Sequence, residues 1–189
     1  MSQKFLSIFR SAQGFAALVL MVGLLASDIA LTMPQTTADP VAGKAITARV
    51  SYVVDGDSLW VRAADTGARI KLRLAGVDAP EICQQDGERS RTALQALADG
   101  QPVRVRVQAH DRWGRAIARV QRVSDGRDLA EAMVSQGWAW SERRLSRRHP
   151  LAVAQAQARQ VGRGLFARPA PEYPADFRRK HGPCGRNQR

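Results

Sequence analysis

Within thirty residues, Val53 to Ile82, the chain places two acidic clusters, each of two carboxylates, with an arginine close before the second. Asp55-Gly56-Asp57 opens the stretch, Asp78-Ala79-Pro80-Glu81 closes it, and Arg73 stands shortly before the second cluster. Carboxylates grouped in this way suit a hard cation, because calcium and magnesium take oxygen ligands. An arginine among them suits a phosphate, whose oxygens its planar fork grips with two hydrogen bonds. A cation and a phosphate grip together point to phosphodiester chemistry. Against this stands the plainer reading of Asp55 and Asp57 as turn-formers and Arg73 as an outward strand charge.

These groups must be positioned by the elements around them. Ile46, Ala48, Val50, Tyr52 and Val54 alternate with polar residues, which predicts a half-buried first strand. Asp55-Gly56 breaks it with a turn, Ser58 to Val61 reads as a second strand, and Asp65-Thr66-Gly67 turns into a third. Ile70, Leu72 and Leu74 share one face of that strand, so Lys71 and Arg73 share the other, toward solvent or the mouth of a barrel. From Gly87 to Asp99 the apolar period becomes helical. Val103, Val105 and Val107 alternate with basic residues in a fourth strand, and Ala116 to Val123 forms a fifth. Asp128 with Glu131 resembles a capping box opening a helix from Leu129 to Gln136, and Pro150 suits the first turn of a third helix to about Val161. Trp138 and Trp140 offer either nucleobase platforms or core packing. Five short strands with a helix after the third predict a mainly β (α+β) fold, a five-stranded Greek-key barrel of the OB type with three helices.

The formal net charge is +12, and the pI is about 11.2. Such an excess is a statement about partners, and polyanions are the obvious class. With 44% hydrophobic residues the chain is no disordered polymer. Lys4 and Arg10 precede an apolar run of twelve, Phe15 to Ala26, which is short for a bilayer span of about 20 residues but fits an export signal. Cleavage after Ala38 would leave a secreted or periplasmic protein, and an uncleaved segment a membrane anchor. Residues 1–38 thus read as signal or anchor, 39–44 as linker, 45–167 as the folded domain that carries the acidic clusters, and 168–189 as a basic, proline-containing extended tail. The two cysteines, Cys83 and Cys184, have no zinc spacing. They could pair, tying the tail beside the second acidic cluster, or remain two free thiols. His110, His149 and His181 lack metal-ligand spacing and read as solvated.

VVDGDS, LRLAGVDAPE and DRWGR, in this order, resemble the signature of the thermonuclease (staphylococcal nuclease-like) family across about Ile46 to Phe166. The resemblance implies an OB-type barrel and a calcium-dependent nuclease acting on DNA and RNA, leaving 3′-phosphates. It assigns calcium to Asp57, Asp78 and the backbone carbonyl of Ala79, where the family carries threonine. Glu81 matches the carboxylate that activates the attacking water, Arg73 and Arg115 match the arginines that hold the scissile phosphate, and Asp55 supports the metal site. Trp113 replaces a tyrosine usual in the family. Ser141-Glu142-Arg143-Arg144 stands where tyrosines often stack on the nucleotide, and the segment after Glu81 is shorter than usual. A monomer with no protein partner is expected. The alternative is a non-catalytic OB module binding single strands, and a third reading is a basic tail on anionic lipid. Retention of all five charged positions, Asp57, Arg73, Asp78, Glu81 and Arg115, favours the enzyme.

Overall fold

The computed structural model describes residues 43–184. The proposed signal, its cleavage site and residues 185–189 lie outside them. Alternating apolar residues build five strands: β1 (Ala45–Val53), β2 (Ser58–Ala63), β3 (Arg69–Leu74), β5 (Pro102–His110) and β6 (Ala116–Arg122). They close a barrel in the order β1-β2-β3-β6-β5, antiparallel except for the β3–β6 pair. A two-residue ladder pairs β4 (Val77–Asp78) with β7 (Trp140–Ser141). The helices are α1 (Gly87–Ala98), α2 (Leu129–Ser135), α3 (Pro150–Gln160) and α4 (Pro174–His181), with a 3₁₀ turn at Gly164–Ala167. The expected five-stranded OB-type barrel is therefore present, with one helix more than expected.

Inside the barrel, Val50, Leu59, Val61, Leu72, Val103, Val105 and Val120 are fully buried. Each such side chain contributes roughly 1.5–3 kcal/mol through removal from water. Strand parity holds in β3, where Ile70, Leu72 and Leu74 are buried and Arg73 points to the other face. It fails in β1. The register shifts between Val50 and Tyr52, so Val53 turns inward while Tyr52 is 48% exposed. A bulge adds one residue and reverses the parity beyond it, which simple alternation cannot foresee.

Two further expectations are corrected, and one alternative is decided. Residues after Arg168 are not an extended tail, because Pro174 opens α4 at its first turn. His149 is not merely solvated: its Nδ1 accepts the Leu151 N–H at 3.2 Å and caps α3. Of the two readings of the tryptophans, core packing holds for Trp140, which is 2% exposed and packed edge-on against Phe166 and Tyr173. Trp138 packs against both apolar clusters. The capping box is half present, with Asp128 accepting from the Glu131 N–H at 3.1 Å. Among the described residues no helix is long and apolar enough to cross a membrane.

Candidate active site

The turn between β1 and β2 carries Asp55 and Asp57. Asp55 accepts the Asp57 N–H at 3.0 Å, an Asx turn that fixes the second carboxylate. Gly56 is required by space. A Cβ there would stand 1.8 Å from Ser90 Oγ and 2.7 Å from the Ala79 Cβ. This close approach brings the first acidic turn against the second. Asp57, 2% exposed, accepts the Ala79 N–H at 3.0 Å and the Ser58 hydroxyl at 2.8 Å.

Arg73 closes the link. It stands opposite Ser58 in the β2–β3 register, and its Nη1 lies 2.8 Å from the Asp57 carboxylate. Its Nη2 donates to Asp78 Oδ1 at 3.0 Å and to the Val77 carbonyl at 3.1 Å. Asp78 sits in β4 and is 3% exposed. The guanidinium, whose side chain is 16% exposed, thus compensates two buried carboxylates. Uncompensated, each would cost several kcal/mol of desolvation. The outward parity of Arg73 leads into the barrel mouth, not to open solvent.

Arg115 enters from the β5–β6 connection. Asp111 Oδ1 accepts the N–H groups of Trp113 and Arg115, both at 2.9 Å, and its Oδ2 takes the Arg115 Nε at 2.6 Å. Desolvation works the other way, yet these N–H groups and the guanidinium hold the Asp111 carboxyl below its ordinary range. Arg115 Nη1 reaches Ser58 Oγ at 3.3 Å, so one hydroxyl joins Arg115 to Asp57. Trp113 is 67% exposed at the rim, with the Arg112 guanidinium 4.2 Å from its ring centre.

Glu81 follows β4, and its Oε1 accepts from Arg178 at 2.7 Å. Arg178 lies on α4 and also grips both oxygens of Asp78 at 3.0 Å. Burial, followed by the Asp57 charge, pushes the Asp55 carboxyl up to about 8. A cleft of about 530 Å³ brings Asp55, Asp57, Arg73, Asp78, Ala79, Glu81 and Arg115 together. Every sequence-assigned site residue therefore lines one cavity. Asp57, Asp78 and Ala79 offer only oxygen donors, as a hard cation requires. Among the described residues, no three acidic, histidine or cysteine side chains are grouped as a metal cage. The guanidinium nitrogens of Arg73 and Arg178 stand between the carboxylates instead.

Sequence reasoning missed Ser58, Asp111 and Arg178. Ser58 and Asp111 sit within the quoted motifs, so their positions were the available signal. Arg178 is 97 positions from Glu81, and only the possible Cys83–Cys184 pairing pointed there. That disulfide is present.

A closed five-stranded barrel with acidic turns and arginines at its mouth is the frame of an OB-type nuclease. Residues 71–168 match the family described as Staphylococcal nuclease homologue. The chain is 34% identical over 141 residues to an uncharacterized endonuclease of Escherichia coli O157:H7, covering 75% of this chain and 90% of that protein. It is 35% identical over 134 residues to an uncharacterized endonuclease of Haemophilus influenzae, covering 71% and 74% respectively. A probable staphylococcal-like nuclease of Oryza sativa is 34% identical over 111 residues, covering 59% of this chain and 30% of that protein. The chain belongs to the staphylococcal nuclease homologue family.

Proposed function

We propose that the protein is an exported, calcium-dependent endonuclease that hydrolyses DNA and RNA with low sequence preference and leaves 3′-phosphates. The observation carrying this reading is the convergence of Asp57, Arg73, Asp78, Glu81 and Arg115 on one cleft. Asp57, Asp78 and the Ala79 carbonyl are the groups that would hold the cation. When bound, such a cation supplies Lewis-acid polarisation of a phosphoryl oxygen.

The chain's own residues account for the rest. Arg73 and Arg115 neutralise charge growing on the non-bridging phosphate oxygens, where pre-placed donors contribute most. Glu81 accepts a proton from water as the water oxygen bonds to phosphorus; the P–O5′ bond breaks and the 5′-oxygen takes up a proton from solvent, leaving a 5′-hydroxyl and the phosphate on the 3′ side. Such general-base help contributes about 10²–10⁴-fold. Contacts to phosphate and sugar carry no base information, which supports low sequence preference. The N-terminal apolar run and the disulfide both suit an oxidising compartment outside the cytoplasm. The protein is expected to act as a monomer without a protein partner.

Digestion of plasmid DNA and of RNA with calcium, with magnesium and with chelator tests this. Cleavage of both polymers in calcium and none in chelator is expected. Activity that persists in chelator, or none under any condition, overturns it.

A further inference from the structure

The segment after Arg168 is bound to the site by several independent contacts. Cys184 is disulfide-bonded to Cys83, two residues after Glu81. Gln84 Nε2 donates to the Glu172 carbonyl at 2.8 Å, and Arg168 pairs with Asp86 at 2.9 Å. Asp176 pairs with Arg143, whose guanidinium also lies 3.9 Å from the centre of the Tyr173 ring. Tyr173 in turn packs edge-on against the buried Trp140. Together these fix α4 along one wall of the cleft, and Tyr173, Ala175 and Arg178 line it.

Arg178 makes the contact that matters for chemistry. Its Nη1 is shared between Asp78 Oδ1 at 3.0 Å and Glu81 Oε1 at 2.7 Å, while Nη2 takes Asp78 Oδ2 at 3.0 Å. A planar fork held on both oxygens of a buried carboxylate has little freedom left. The glutamate oxygen on the same fork inherits that orientation. Glu81 follows the short strand β4, and a glutamate side chain in general has several staggered rotamers to choose from. With Oε1 occupied, Oε2 is the oxygen left to meet a water.

We infer that Arg178 is a positioning residue of the nuclease site, orienting Glu81, and that the Cys83–Cys184 disulfide is the strap keeping it there. This rests on the nuclease reading above. The disulfide and the ion pair join the same two segments, residues 78–83 and 178–184, so each limits the excursions of the other. Holding the base in one orientation is a contribution to the transition state rather than to polymer binding. Loss of a partner that orients a site ligand commonly lowers activity about 10–100-fold.

The test is a cycle of kcat and KM measurements on folded protein. Arg178→Gln should lower kcat about 10–100-fold and shift KM less than about threefold, the range expected for an orienting partner. On a Glu81→Gln background the same change should have almost no further effect, because its target is already gone. Reducing the disulfide of folded wild-type protein should lower kcat toward the Arg178→Gln value. An unchanged or faster Arg178→Gln enzyme, or an equal loss on both backgrounds, overturns the positioning role. Full activity after complete reduction overturns the strap. A wild-type protein inactive in every metal condition would instead sink the nuclease reading itself.

Discussion

Arg73 and Arg115 are both assigned to the phosphate, yet their surroundings give their loss different consequences. Arg73 lies between two buried carboxylates, so its removal leaves Asp57 and Asp78 without that cation. Arg73→Ala should therefore abolish cleavage and also destabilise the metal-free protein by about 3–5 kcal/mol, as breaking a buried pair does. Chemical denaturation would measure this, and a stability equal to wild type would refute the account. Loss of activity with the fold intact is expected of Arg115 and Glu81 instead. Glu81→Gln should lower kcat about 10²–10⁴-fold with an unchanged unfolding midpoint. Near-normal activity would remove Glu81 as the base. Asp55 supplies a pH signature. Its carboxyl is raised to about 8 by burial, then by Asp57, against an ordinary 3.8 when unfolded. Between those values the folded state binds the proton that the unfolded state has released, so this group's contribution falls as pH rises from about 4 through 8. In chelator, Asp55→Asn should flatten that decline. A parallel decline in both proteins would show that Asp55 is not its source.

The elements were legible in the sequence to the extent that alternation and caps express them. Ile70, Leu72 and Leu74 gave β3 and the parity of Arg73 correctly, and Pro150 marked the start of α3. Three features were not legible, for different reasons. The β1 bulge changes parity within a run whose residues all suit a strand, so Tyr52 and Val53 exchange roles without a local signal. Helix α4 is written in prolines and basic residues that alone read as a tail. Its place comes from ion pairs and a disulfide across about a hundred positions. Gly56 is a third case, since its turn was evident but its closeness to Ser90 was not. Gly56→Ala should force Ser90 Oγ off the Trp138 carbonyl, which it meets at 2.7 Å. The expected cost is about 1–3 kcal/mol, as for overpacking elsewhere. An unfolding midpoint equal to wild type would mean that the two turns separate freely.

At the scale of the whole molecule, charge was the strongest signal and retains its meaning. The net charge is +12, and Arg49, Arg104, Arg106 and Arg119 are exposed on the outer faces of the barrel strands. The cleft itself is dominated by carboxylates and the arginines that neutralise them. Attraction for a polyanion is therefore spread over the exterior, while chemistry is confined to the mouth. Salt should separate the two. For long DNA, KM should rise steeply between about 50 and 200 mM salt, as counterion release requires, while kcat changes little. A KM insensitive to salt would show that the exterior charge takes no part in substrate capture.

The covalent link between positions 83 and 184 also sets an order of events. Cys83 can close its bond only after 101 further positions have been synthesised, and only where a thiol can be oxidised. Until then only noncovalent contacts hold Arg178 to the Glu81 segment. A newborn, reduced chain would thus carry its phosphate grip before the strap on its base is closed. On the positioning role inferred above, full activity would arrive last, once the thiols have been oxidised.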